Sequence, residues 1–199
     1  MGLADRVSKA EKLTRWLDSR LDGLTIRSGH RSRLAAGCLD LALEHQKSIV
    51  FLVTNRFYGS AFSLVRLTFE AFVRGVWLYR CATESDLERF KRDTFKKEFG
   101  VLVADVEQLE DFSDGVLSWA KERSWTAMNS FTHCGFHQVV RRNTEESIEP
   151  DYSEDEVVEA LNFSTAIGLL TALQIARLAN DEFLANEVFQ RTLQEIPDS

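Results

Sequence analysis

Residues 57 to 82, FYGSAFSLVRLTFEAFVRGVWLYRCA, constrain this chain more than any other stretch. They are almost uninterruptedly apolar, and the only charges before Arg80 are Arg66, Glu70 and Arg74, spaced four apart. At 3.6 residues per helical turn, positions four apart stack along one edge, so the charges fall in a thin stripe. Phe62, Val65, Phe69, Phe72, Val73, Val76 and Trp77 cover the remainder of the surface. A helix that is apolar nearly all round is enclosed by its neighbours. A membrane span of this length would be uncharged, so the enclosing medium is expected to be protein. Burying ionised groups costs several kcal/mol unless they are paired, so the stripe reads as either an internal ion-pair lock or the floor of a site.

Few signals interrupt the helical period elsewhere. The 199 residues include only 2 Pro and 10 Gly, and no stretch shows the β-branched alternation of strands. The expected fold is all-α, a single domain built as an antiparallel bundle of six to eight helices. The 14 Phe and 4 Trp supply its core. Predicted helices cover 3–22, 31–55, 57–82, a long one from a capping box at Ser85 and Glu88, a short one at 116–121, one capped by Ser124, one from a capping box at Ser153 and Glu156, and a last one ending at Pro197. Leu34, Cys38, Leu41, Ile49 and Leu52 mark the packed face of the second, with His45 as a core histidine beside it. Phe183, Leu184, Val188, Leu193 and Ile196 mark that of the last. Cys38, Cys81 and Cys134 lie far apart in apolar surroundings and read as reduced, buried thiols. The first residues, MGLADRVSKAEKL, lack the apolar core of a signal peptide, and Arg6 stands where a myristoylation signal requires Ser or Thr. A cytoplasmic protein is expected, with no membrane association.

The formal charge of −7 is local. Eight acids (Glu145, Glu146, Glu149, Asp151, Glu154, Asp155, Glu156 and Glu159) lie in a stretch from 143 to 176 that has no Lys or Arg, and outside it 24 basic residues face 23 acidic ones. This acidic segment is expected to be solvent-exposed, with Asp155 and Glu156 in a first helical turn. It could bind a basic protein partner. A small basic cluster at Arg27, His30, Arg31 and Arg33 is expected to be a solvated loop and first turn.

The densest chemistry lies in SWTAMNSFTHCGFHQVVRR, from Ser124 to Arg142. Continuous helix would put Asn129, His133 and His137 on one face, with Trp125, Met128, Phe131, Val139 and Val140 on the packed side. Two His at i and i+4 could chelate a metal with Glu70 as third ligand, but Gly135 between them makes a poor rigid scaffold, and we expect no metal. No phosphate-cradling loop, nucleophile elbow or dinucleotide fingerprint is present, so no cofactor is expected either.

The order of apolar helices, the R-x-x-x-E stripe at Arg66 and Glu70, and the later M-N-S-F-T-H from Met128 to His133 resemble the HEPN class of bacterial helical domains. Several of these are linked to phage defence or toxin–antitoxin pairs. The ribonuclease motif of that family is Arg, a polar residue that is often Asn, a few others, then His. It falls here on Asn129 and His133, with Met128 in the Arg position. The resemblance implies a homodimer that binds or cleaves RNA without metal. His133 would be the general acid/base, Asn129 and Glu70 would orient it, and Arg66, Arg74 or Arg141 would stand in for the motif Arg. Arg74, His137, Arg141 and Arg142 would hold substrate. The residues also allow a non-catalytic interaction module in which Arg66, Glu70, Asn129 and His133 form a structural network. In either case Glu70 is expected inside the bundle against Arg66 or Arg74, with Asn129 and His133 approaching the same stripe.

Overall fold

The computed structural model describes residues 2–26 and 28–195. Among these residues there are nine α-helices and no strand: α1 (Leu3–Leu21), α2 (His30–Thr54), α3 (Tyr58–Arg80), α4 (Glu84–Lys91), α5 (Phe99–Val106), α6 (Val116–Thr132), α7 (Phe136–Val140), α8 (Glu154–Ala179) and α9 (Glu182–Glu195), with a 3-10 turn at Glu110–Phe112 between α5 and α6. The predicted end at Ile196 and Pro197 lies outside the described residues, as does Arg27.

The apolar run forms α3 as expected, and all seven of its predicted core residues are buried. Only three residues separate it from α2, so the two helices pack along their lengths as an antiparallel hairpin. Gly75 allows their close approach, because a Cβ there would lie 2.7 Å from Leu39 Cγ. The buried face of α2 is Ala35, Leu39, Ala42, Leu43, Gln46, Ile49, Val50 and Val53. Of the predicted stripe only Ile49 lies at its centre, and Leu41 is exposed. The true face is lined by small residues that the apolar count underweights. Gln46, buried within it, donates to Thr14 Oγ1 at 3.2 Å. His45 is half-buried, and desolvation lowers its pKa against the opposing pull of Glu44.

A second helix shares the centre. α8 packs on α1, α2, α3 and α9, and its buried Ser164 and Thr171 donate to their own helix carbonyls at 3.0 and 2.6 Å. By length and composition it is the one described helix that could cross a membrane, yet more than half of its apolar window is buried in the fold. Its start follows the prediction: Ser153 Oγ accepts from Glu156 N–H, and Glu156 accepts from Ser153 N–H at 3.0 Å. Asp181 caps α9 by accepting from Leu184 N–H at 2.9 Å. The packed face of α9 is Leu184, Ala185 and Val188, whereas Phe183 and Leu193 are exposed.

The long helix predicted from Ser85 is two short ones. Its capping box is Thr83 with Asp86, two residues earlier, which lets Leu87 bury completely. The chain then leaves helix at Asp93, in the left-handed region at φ 55°, and runs irregularly to Glu98. This detour lays Phe95 against Trp77 at 5.1 Å and brings Lys97 to Asp105 at 3.0 Å, a carboxylate that also accepts from Trp77 Nε1 at 2.8 Å. Arg31 corrects the reading of its basic cluster. Its guanidinium donates to Leu78 and Ala82 carbonyls at 3.0 and 2.6 Å and to Glu84 at 2.8 Å, so it closes the C-terminus of α3 where carbonyls lack helical partners.

Candidate functional site

Four side chains from two helices meet at one edge of α3. Arg66 and Glu70, one turn apart, pair through Arg66 Nε and Nη2 on Glu70 Oε1 at 2.8 and 2.7 Å. Arg66 Nη1 reaches across to α6, donating to Asn129 Oδ1 and lying 3.1 Å from His133 Nε2. A guanidinium has no acceptor, so Nε2 must accept in this arrangement, which places the ring proton on Nδ1. The pair is mostly covered, whereas Asn129 and His133 are exposed. The expected convergence of the two polar stripes is therefore present, with Arg66 as the partner of Glu70.

An aromatic stack holds the guanidinium in place. Arg66 lies over the Trp125 ring at 4.4 Å. Trp125 stacks nearly parallel on Phe99 at 4.7 Å and 8°, and Phe99 meets Phe69 edge-on at 5.2 Å. The central core thus reaches the Arg66 guanidinium through three rings, and each such contact contributes about 0.5–1.5 kcal/mol beyond area burial. Trp125 was legible only as a packed residue, and its role beneath Arg66 appears only once α3, α5 and α6 are placed together.

The helix carrying Asn129 departs from expectation in two ways. It is continuous from Val116 to Thr132, with Ser124 in its interior, because nothing in the intervening Lys121-Glu122-Arg123 stops a helix. It then ends at His133. Cys134 takes φ 54° and Gly135 starts α7. Gly135 is required here, since a Cβ would fall 2.6 Å from Ser130 Oγ and 3.1 Å from Ser130 Cα. Gly135 N–H donates to Ser130 carbonyl at 2.7 Å and His137 N–H to Ser130 Oγ at 2.9 Å. His133 and His137 consequently do not share a helical face, and Cys134 is exposed rather than buried. Val139, expected to pack, is exposed as well. Among the described residues no three His, Cys, Asp or Glu side chains converge as a metal site would require.

The other candidate residues fall apart from the cluster. Arg74 lies near Cys38 on α2 and leaves its Nε buried without a hydrogen bond. Burial raises the Cys38 thiol pKa, and Arg74 partly offsets it. His137 and Arg142 are exposed on and just after α7. Arg141 pairs with Glu156, Nε to Oε1 at 2.9 Å. Desolvation opposes the charge of Glu156, but the hydrogen bonds from Arg141 and Ser153 outweigh it and hold the carboxyl below its usual range. The other seven acids of the segment are exposed.

Met128, in the position where the ribonuclease motif has Arg, is buried in the core beside Phe131 and could not present a charge. The guanidinium beside His133 comes from α3 instead.

Fold and cluster together define an all-helical protein with a mostly covered arginine–carboxylate pair that opens onto an exposed Asn and His. The chain belongs to a family of unknown function, DUF6988, whose profile matches residues 39–198 and so spans all four cluster residues. No curated protein and no solved structure matches it.

Proposed function

We propose that the Arg66, Glu70, Asn129 and His133 cluster is a phosphodiester site of the HEPN-like kind, which binds RNA and cleaves it without metal. The observation that carries this reading is the 3.1 Å approach of Arg66 Nη1 to His133 Nε2 across 67 residues of chain. It sets a permanent cation and an imidazole side by side at an accessible surface, and it supplies from another helix the guanidinium that the motif lacks at Met128. Cleavage would proceed by attack of the ribose 2′-hydroxyl on phosphorus. The O2′–P bond forms as P–O5′ breaks. His133 Nε2 takes the hydroxyl proton and the imidazolium returns a proton to O5′, while Arg66 swings from His133 to the phosphoryl oxygens and neutralises the charge that develops there. Glu70 and the Trp125 face orient Arg66, and Asn129 positions His133. The setting proposed is a cytoplasmic homodimer in phage defence or a toxin–antitoxin pair.

A second reading draws on how many Arg66 donors are already spent on protein groups, and on the seven exposed acids between 145 and 159. In it the cluster is a structural network and the acidic segment binds a basic protein partner.

Single-stranded RNA incubated with the purified chain in a chelator separates the two. Fragments ending in 2′,3′-cyclic phosphate, lost in His133→Ala and Arg66→Gln variants that remain folded, support the ribonuclease. Intact RNA together with unaltered growth on expression would leave the interaction module.

A further inference from the structure

A second cluster lies fourteen residues along α3 from Arg66, about 20 Å at the helical rise of 1.5 Å per residue. The end of α3, the 3-10 turn and the C-terminal third of α8 enclose an open cavity of about 560 Å³ lined by Tyr79, Arg80, Glu110, Asp111, Gln174 and Arg177.

The charges there do not balance around the carboxylate they share. Arg80 Nη1 lies 2.7 Å from both oxygens of Asp111, and Arg177 Nη1 pairs with Oδ2. Burial opposes the charge on Asp111, but the hydrogen bonds from both arginines prevail and keep its carboxyl below the ordinary range. One fixed anion thus faces two guanidinium groups. Each arginine engages it through Nη1 alone, so both keep Nε and Nη2 donors for another acceptor. Glu110 is exposed at the rim and forms an ion pair with neither.

Gln174 adds a polar group to the lining of the cavity. It is only 4% exposed as a residue and lines the cavity. Its neighbours Leu173, Ala176 and Leu178 are ordinary buried apolar residues. Where packing alone mattered a Leu would serve better at this position. Gln174 and the two arginines line the same space.

We propose that this cavity binds an oxyanion, the phosphate or carboxylate group of a small molecule, with Arg80 and Arg177 as charged donors and the Gln174 amide at the floor. Planar forks of N–H donors suit such groups, and the guanidinium nitrogens that Asp111 does not engage are placed to bind them.

The full chain, titrated at constant ionic strength against chloride, tests this with inorganic phosphate and with acetate as separate probes, read by thermal midpoint and calorimetry. Saturable binding in the millimolar range to either probe is expected, and the responding probe identifies the group. Arg177→Gln should weaken that binding about tenfold, since it removes a charge-assisted donor. Gln174→Leu should weaken it about threefold, and Glu110→Gln should tighten it about threefold by lifting a rim repulsion. Glu110 is exposed and unpaired, so its variant decides the matter even if Arg177→Gln fails to fold. No saturable response to either anion would overturn the proposal. So would equal affinity in wild type, Arg177→Gln and Glu110→Gln, the behaviour of general ionic screening.

Discussion

Two arginine–carboxylate pairs in this protein look alike in outline and differ in surroundings. Arg66 with Glu70 and Arg141 with Glu156 each join a guanidinium to one carboxylate oxygen through two nitrogens. The first pair has side-chain exposures of 17% and 19%, and the second 33% and 30%. Arg66 also lies on Trp125 and bridges to Asn129 and His133, so it ties α3 to α6. Glu156, for its part, serves the N-terminus of α8 and joins Arg141, just beyond α7, to it. An ion pair contributes little by attraction alone, and what decides its worth is the cost of leaving the survivor desolvated when one member is removed. By that measure the first pair should matter more.

The comparison can be tested at several points. Trp125→Ala should cost the most, about 3 kcal/mol, because it removes both the stacked face under Arg66 and the contact with Phe99. Denaturant melts would measure it, and a loss under 1 kcal/mol would mean that the stack is not under Arg66 in solution. Glu70→Ala should come next at about 2 kcal/mol, between the values for surface and fully buried pairs. In an Arg66→Met background the same change should cost under about 0.5 kcal/mol, since no cation is then left uncompensated. If the cost stays the same in both backgrounds, the two residues are not coupled. Glu156→Ala should follow at about 1 kcal/mol, mostly the lost reciprocal cap. Glu98→Ala, exposed and making no side-chain cap, should stay within about 0.5 kcal/mol and serves as the control.

The smallest effect is one of pH. Glu156 and Asp111 titrate below their ordinary values of 4.5 and 3.8 in the folded chain. A depressed carboxyl binds protons more readily unfolded, so its contribution is present above the unfolded pKa and is lost as pH falls through the folded one. Stability should therefore be insensitive to these groups at neutral pH and decline below about pH 4.5, where the ordinary glutamate range ends. Glu156→Gln should flatten part of that decline in melts recorded from pH 6 to 3. An identical slope in the variant would show that another group governs it.

Much of this architecture could be read along the chain. The period of α3, its charge stripe, the Ser153 box and the exposed acidic segment all depend on residues within a turn or two of each other, and local spacing determines them. Errors arose where packing chose between local options. Thr83-Asp86 and Ser85-Glu88 are both capping boxes by pattern, and the burial of Leu87 selected the first. Gly135 was visible as a weak point in a helix. That it is a full break follows from the contact of Gly135 with Ser130 and the left-handed backbone at Cys134.

What the sequence determined by itself was which residues share a helix face, because a 3.6-residue period is a property of the backbone alone. It therefore placed Arg66 with Glu70, and it marked their stripe as one that needed partners. Only the tertiary structure decided that Asn129 and His133 would answer Arg66, that Trp125 would lie beneath it, and that Met128 would turn into the core. Those choices depend on how α3, α5 and α6 cross, which is settled by the packing of Phe69 on Phe99 and of Phe62 on Phe131 rather than by the spacing within any one helix.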